Sequence, residues 1–375
     1  MVNTKPFEDA LFRKVRDLLL SSRKAVVQGV NSLQVLTNFE IGRYIFEHEQ
    51  QGESRANYGK ELIKNLSEQL TSEFGRGFSK SNLEYMRRFF LAYRDRLPIA
   101  QSDIGQFTGN TLSPRFISST AADSPEDFSP SPQFRLSWTH YIFLMGIKNP
   151  EERSFYEIES ADQDWTLPEL RRQFDSGLYE RLALSRDKEG ILRLAKEGQV
   201  VARPDDLLKE PFVLEFLGLS EQARYSESDL EAAIISRLEQ FLLELGKGFL
   251  FESRQKRITL DEEHFFVDLV FYNRLLRCYV LIDLKIGKMT HQDLGQMQMY
   301  VNFFDRFLKL EGENPTVGIV LCKKKNESLV EITLPEKSNI HAREYMLYLP
   351  GKEELQRKLN EWTASAALQC SETDE

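Results

Sequence analysis

From Phe7 to about Gln51 apolar residues recur at helical spacing: Leu11, Val15, Leu18 and Leu19, then Leu33, Leu36, Ile41 and Ile45. This predicts two long amphipathic helices folded into a hairpin. The pattern continues from Tyr58 to Phe74, Gly75 and Gly77 break it, and Ser81-x-x-Glu84 offers a capping box for a further helix. Leu83, Met86, Phe90, Tyr93 and Leu97 form one stripe of that helix, and Arg87 and Arg94, seven apart, share another face. Helix, short turn and arginine-bearing helix resemble a helix-turn-helix reader of nucleic acid. Solvating the outside of a bundle is the plainer reading of the same arginines, and the one favoured from sequence.

Residues 99–136 are rich in Ser, Pro, Gly and Asp with little apolar periodicity, which predicts a disordered insertion. Order returns over Leu136 to Ile147. Thr166-x-x-Glu169, with Pro168 in the first turn, then starts a helix running to about Leu184. The predicted N-terminal domain, residues 1–200, is therefore all-helical.

Pro204 and Pro211 mark the passage to a second domain, residues 201–375, of α/β character. Its pattern is a helix over 228–245 ended by Gly246 and Gly248, strands at 249–258, 264–272 and 278–286, and a helix over 290–308. Strands at 316–322 and 343–349 and a closing helix over 351–362 complete it. The predicted fold is a two-domain α+β chain.

A length of 375 residues with 41% hydrophobic content supplies two packed cores. The cysteines Cys278, Cys322 and Cys370 are too few and scattered for a disulfide framework, and none has zinc-ligand spacing with a histidine, which fits a reducing cytoplasm. Apolar runs such as Tyr279 to Ile282 are far too short to span a bilayer, so no membrane role is expected. A formal net charge of −9 repels a polyanion at long range, so nucleic acid as a partner requires local basic clusters. Arg254, Lys256, Arg257 and the run Lys323 to Lys325 are candidates, although the lysine run reads more readily as a solvated strand end.

Three charged residues interrupt two apolar strands: Asp268 in the strand 264–272, Asp283 and Lys285 in the strand 278–286. Asp283 and Lys285 are two apart and project to one face of a pleated strand, while Leu284 points into the opposite layer. A hairpin closed between Asn273 and Cys278 places Asp268 directly opposite Asp283, with Cβ atoms about 5 Å apart. Two facing carboxylates repel in an apolar setting, and a divalent cation is the simplest relief. Aspartate oxygens completed by water and phosphate suit Mg²⁺ or Mn²⁺, with Lys285 beside them to orient a water and offset charge on the phosphate. The alternative is a satisfied Asp283–Lys285 ion pair, which leaves Asp268 unexplained.

Asp268 followed by Asp283-Leu284-Lys285, after a glutamate-bearing helix and before another helix, resembles the PD-(D/E)XK nuclease superfamily, with Val267 in place of the signature proline. More narrowly, YSESDLEAAI, FLLELGKGFLFESRQKR, FFVDLVFYN, LIDLKIGKMTHQDLGQMQMYVN and the upstream YGKEL, FGRGFS and LSWTHY resemble the YhcG-like family of bacterial proteins. That likeness covers nearly the whole chain outside 99–136. It implies a helical N-terminal domain fused to a restriction-endonuclease-like nuclease domain.

In the superfamily pattern the first helix contributes a glutamate. Glu231 and Glu239 are the candidates, and Glu231 is preferred, although Ser228-x-x-Glu231 also reads as a capping box. Gln296 and Tyr300, four apart on the later helix, match the Q-x-x-x-Y element of some superfamily nucleases and would brace the water, the lysine or a phosphate. Core packing is the plain alternative for Tyr300. His291 reads as a cap or surface residue and stays outside the catalytic set.

The resulting expectation is a Mg²⁺- or Mn²⁺-dependent nuclease acting on DNA in preference to RNA. Asp268, Asp283 and Glu231 would be the metal ligands, Lys285 and Gln296 the further catalytic residues, and Arg87, Arg94, Arg254 and Tyr300 the nucleic-acid contacts. The resemblance implies water attack on phosphorus that leaves 5′-phosphate and 3′-hydroxyl ends. A non-cleaving nucleic-acid-binding or assembly protein on the same fold is the rival, and homo-oligomerisation stays open.

Overall fold

The computed structural model describes residues 5–51, 56–96, 134–186, 188–219, 225–335 and 338–361. Most of the predicted insertion, together with Leu97 and Cys370, lies outside the described residues. The chain divides into two compact units, 1–148 and 149–375.

The first unit is helical: α1 (Lys5–Gln51), α2 (Ala56–Phe74), α3 (Lys80–Tyr93) and α4 (Trp138–Leu144). The predicted hairpin of two helices is instead the single 47-residue α1. No proline interrupts 7–51, and the isolated Gly29 costs a helix only about 1 kcal/mol, too little to end it. Val15, Leu19, Val26 and Leu33, which a hairpin would bury, are exposed. The cap of α3 also differs. Ser79, two residues before the expected Ser81, accepts from the Asn82 N–H at 3.3 Å.

The core of this unit is aromatic. Phe89 of α3 meets Phe134, Tyr141 and Trp138 at ring-centroid distances of 5.1, 5.0 and 5.3 Å. Phe134 and Leu136, assigned by sequence to the end of the insertion, are buried there because their side chains complete this cluster. At Gly42, α1 touches the backbone of α3, where an added Cβ would stand 2.0 Å from the Met86 carbonyl oxygen. Gly42→Ala is expected to force the helices apart and cost about 2 kcal/mol, read as a lowered chemical-denaturation midpoint.

The second unit begins with α5 (Pro150–Asp162), α6 (Leu167–Asp175), α7 (Leu178–Leu184) and α8 (Lys188–Glu197). The predicted capping box exists, with the Thr166 N–H donating to Glu169 at 2.7 Å. The helix it starts does not reach Leu184 unbroken, because Gly177 adopts a left-handed φ of 64° and separates α6 from α7.

These four helices belong with the sheet-bearing unit, so its compact boundary lies about fifty residues before the expected one at 200. The cause is a buried polar network. Arg181 on α7 donates to Glu244 at 2.5 Å and to the Pro211 carbonyl at 3.0 Å. Arg172 bonds Glu215 at 3.1 Å, and Gln173 donates to the Leu243 carbonyl at 3.0 Å. Burial raises the cost of ionising Glu244, yet the charges of Arg181, Lys209 and Arg172 overcome this and hold its pKa at about 2.

The remaining elements are β1 (Phe212–Val213), α9 (Glu227–Ser236), α10 (Leu238–Leu245), β2 (Phe249–Leu260), β3 (Glu263–Asn273), β4 (Cys278–Lys288), α11 (His291–Phe303), β5 (Val317–Lys324), α12 (Glu327–Thr333), β6 (Ile340–Met346) and α13 (352–361). The predicted helix over 228–245 is broken at Arg237, whose backbone leaves helical geometry between α9 and α10. The strands form one mixed sheet in the order β1-β6-β5-β4-β3-β2, with β2, β3 and β4 antiparallel and β4, β5, β6 and β1 parallel.

One face of the sheet packs Leu269, Phe271, Val280, Ile282 and Leu284 with Leu230, Ile234 and Phe241 of α9 and α10. The other packs Val267, Val270, Leu281 and Val320 with Leu294, Met297 and Tyr300 of α11. Leu284 thus enters the layer opposite Leu281, which sets odd-numbered Asp283 and Lys285 on the α11 side. Among the described residues no helix is long and apolar enough to cross a membrane.

Candidate active site

Pairing of β3 with β4 runs from Asn273 with Cys278 to Leu269 with Ile282. This is the register expected from the hairpin, and Asp268 and Asp283 lie one step beyond the last pair. Here the strands part, because the Leu284 N–H bonds the Asp268 side chain at Oδ2, 2.8 Å away. Asp268 is thereby fixed by backbone next to Asp283.

Lys285 Nζ stands 2.9 Å from Asp283 Oδ2, 3.6 Å from Glu227 on the first turn of α9, and 3.9 Å from Asp293 on the first turn of α11. The site therefore lies at the carboxyl end of β4, between two helix N-termini.

Burial is the main cause that pushes Asp283 up to about 7, and the charge of the neighbouring Asp268 adds to it. Lys285 lowers it only in part. For Lys285, burial acts against the ammonium, but the Asp283 carboxylate more than offsets this and holds its pKa above the ordinary lysine range. No well-oriented hydrogen bond reaches Asp283 Oδ2 even with the ammonium this close. A buried carboxylate oxygen beside a second carboxylate is a donor set that a hard divalent cation satisfies. Among the described residues no three carboxylates, histidines or cysteines stand together closely enough to hold a metal ion.

Glu231 is buried on α9, and the structure removes the capping alternative. The N-cap of α9 is Ser226, whose N–H donates to Asp229 at 2.8 Å, so Glu231 is free of the helix terminus. Its carboxylate is instead joined to Asp268 through one side chain. Gln255 Nε2 on β2 donates to Glu231 Oε2 at 2.5 Å and to Asp268 Oδ1 at 3.0 Å. Burial raises the pKa of Glu231, Gln255 lowers it, and Asp268 raises it again. Glu239 is exposed on α10.

Gln296 donates to the Tyr300 hydroxyl, and that hydroxyl donates to the Phe266 carbonyl at 2.8 Å. Tyr300 is fully buried, so its expected contact with nucleic acid is wrong: it braces β3 two residues before Asp268. Arg254 is exposed and close enough to lower the pKa of Glu231 by its charge. In the other unit Arg87 is held by Glu49 at 2.5 Å, and Arg94, past the end of α3, lies 3.8 Å from Asp95.

Sequence reading missed Gln255, Glu227 and Asp293. The two acids were accessible as first-turn residues of helices that abut the site, and the Ser226-x-x-Asp229 box was itself legible. Gln255 carried no signal, since a polar residue on an exposed strand position breaks no pattern.

Residues 205–360 match the YhcG PDDEXK nuclease domain, and residues 14–181 match the DUF1016 N-terminal domain. The chain is 40% identical over 348 residues to YhcG of Escherichia coli (strain K12), covering 91% of each chain. The chain belongs to the YhcG family of PDDEXK nucleases. A repair endonuclease from Pyrococcus abyssi matches with 22% identity over 34% of this chain and 50% of its own, at a TM-score of 0.24. EndoMS in complex with double-stranded DNA matches with 16% identity over 36% of this chain and 50% of its own, at a TM-score of 0.24. This chain thus spans about half of each neighbour, and a likeness at that TM-score carries no weight for function. PDDEXK nucleases generally use divalent metal ions, which agrees with the carboxylate chemistry of Asp268 and Asp283 in this YhcG-family chain.

Proposed function

We propose that this protein is a divalent-metal-dependent nuclease that hydrolyses phosphodiester bonds in DNA at Asp268, Asp283 and Lys285, with Glu231 as the third carboxylate. The observation that carries the proposal is the buried Asp283 carboxylate, pushed up to about 7 beside Asp268 while Lys285 touches it. A structural ion pair has no need of the second carboxylate, and a nuclease does.

Asp268, Asp283 and Glu231 would hold the ion, Mg²⁺ or Mn²⁺, which when bound would supply Lewis acidity toward a phosphoryl oxygen. Lys285 keeps its proton because three carboxylates surround it. Its ammonium donates to the attacking water or to a phosphoryl oxygen and offsets charge that grows at phosphorus. The Leu284 N–H holds Asp268 in one orientation. Gln296 and Tyr300 fix the end of β3 and so keep Asp268 in place.

Arg254, whose charge acts on Glu231, would serve as a basic contact for the substrate backbone. DNA is preferred to RNA because α2, the Gly75–Gly77 turn and α3 form a helix-turn-helix-like segment, whose partner is ordinarily a duplex major groove. Arg87 and Arg94 would serve phosphate contact there, Arg87 after release from Glu49.

Cleavage of branched, linear and single-stranded DNA and of RNA, each with Mg²⁺ or Mn²⁺, tests this reading. DNA is expected to be cut. Cleavage of RNA alone would overturn the substrate, and intact substrates throughout would overturn the nuclease.

A further inference from the structure

Three elements meet at one amide. Glu231 comes from α9, Gln255 from β2 and Asp268 from β3, and both Gln255 contacts are to carboxylate oxygens. Both partners are acceptors, so the nitrogen faces them, and its two N–H groups serve two carboxylates. Among the described residues no lysine or arginine ion-pairs with either Glu231 or Asp268. Among the described residues, the neutral amide is the side chain that hydrogen-bonds both carboxylates.

The backbone is shaped for this contact. Gln255 lies between the pairs Arg254 with Leu269 and Lys256 with Val267, and so across from Asp268. Its φ is 46°, a left-handed conformation that a glutamine inside a strand rarely adopts. Such outliers persist where surrounding structure enforces them and are concentrated at functional sites. The residue is also exposed, so its side chain can swing into solvent without opening the core.

We propose that Gln255 is a positioning residue that stands in for the cation, bridging Glu231 and Asp268 in the metal-free site and yielding its place when a divalent ion binds. This rests on the reading of Glu231 and Asp268 as metal ligands. The amide satisfies hydrogen bonding but brings no charge, so a divalent ion is the stronger bridge and displaces it. Both carboxylates are meanwhile held on the one amide, which lowers the affinity of the site for the ion by competing for the same oxygens. A lysine in the same place would hold the carboxylates permanently and exclude the ion.

Calorimetric titration of the metal-free full chain with Mn²⁺ tests the proposal, with melting temperatures recorded in parallel. Gln255→Leu removes the competing donor. It is expected to bind Mn²⁺ about tenfold more tightly than wild type, the scale of one hydrogen bond to a charged group, while its metal-free form melts lower. Gln255→Lys supplies a fixed cation. It is expected to melt higher without metal and to bind Mn²⁺ about tenfold or more weakly. A side chain with a merely structural role would not move affinity in opposite directions in the two variants.

Equal or weaker Mn²⁺ binding by Gln255→Leu, with wild type binding normally, would overturn the inference and leave the ligand reading intact. Should Gln255→Leu not fold, Gln255→Lys decides, and wild-type affinity in that variant overturns the inference. A wild-type chain that takes up no divalent ion overturns both readings together.

Discussion

Replacing Lys285 with alanine is expected to slow DNA cleavage about 10²–10³-fold, the loss found when one preorganised donor to a developing oxyanion is removed. The ammonium is built into the site by position: Nζ is 2.9 Å from Asp283, with Glu227 at 3.6 Å and Asp293 at 3.9 Å. Those three acids keep it charged, and its strand places it two residues from the buried aspartate. Charge on the phosphate is greater in the transition state than in the bound substrate, so the lost interaction falls on the rate more than on affinity. Single-turnover cleavage of a labelled duplex would show the slower step, while gel shifts would show binding close to wild type. Wild-type rates in Lys285→Ala would remove the lysine from the mechanism.

Asp283→Asn is expected to abolish cleavage without destabilising the metal-free protein. The folded-state pKa of Asp283 is pushed up to about 7, above the value near 4 of an unfolded chain. A group shifted in this direction favours folding while protonated. Its contribution is fully present below about pH 4 and is lost as pH rises through about 7, on the order of 4 kcal/mol for a shift of this size. Wild type without metal should therefore melt lower at pH 8 than at pH 5, as far as this residue determines the trend. Asparagine cannot ionise, so the variant should lose that part of the slope and melt at the wild-type temperature or above it at pH 8. If Asp283 were instead a structural partner of Lys285, its loss would strand a half-buried ammonium and cost about 3 kcal/mol. Differential scanning calorimetry in EDTA at the two pH values separates the cases by sign.

The centre of the candidate site was legible because it violates its surroundings. Asp268, Asp283 and Lys285 are the charged residues within the otherwise apolar stretches 265–272 and 278–286, and the short turn between Asn273 and Cys278 fixed their register. Glu231 was ambiguous because Ser228 stands three residues before it, whereas the helix is in fact capped by Ser226 and Asp229. The period of 3.6 residues is the same for one helix as for two, so without a breaker the 47 residues of α1 gave no sign of being continuous. Buried long-range pairs leave no local trace either. Arg181 with Glu244, separated by 63 residues, ties α7 to the sheet-bearing unit and moves the compact boundary away from the composition change near 200. Gln255 is hidden for a third reason: its side chain reaches Asp268 from a left-handed backbone turn that neither glycine nor asparagine announces.

The most direct test of the acidic site as a metal-dependent nuclease centre is cleavage of a DNA substrate by purified protein in Mg²⁺ or Mn²⁺ and in EDTA, with Asp268→Asn run alongside. The account predicts cutting that requires the divalent ion, stops in EDTA, resumes when the ion is restored and is absent in Asp268→Asn. Undiminished cutting in EDTA, or cutting by Asp268→Asn at the wild-type rate, would contradict it.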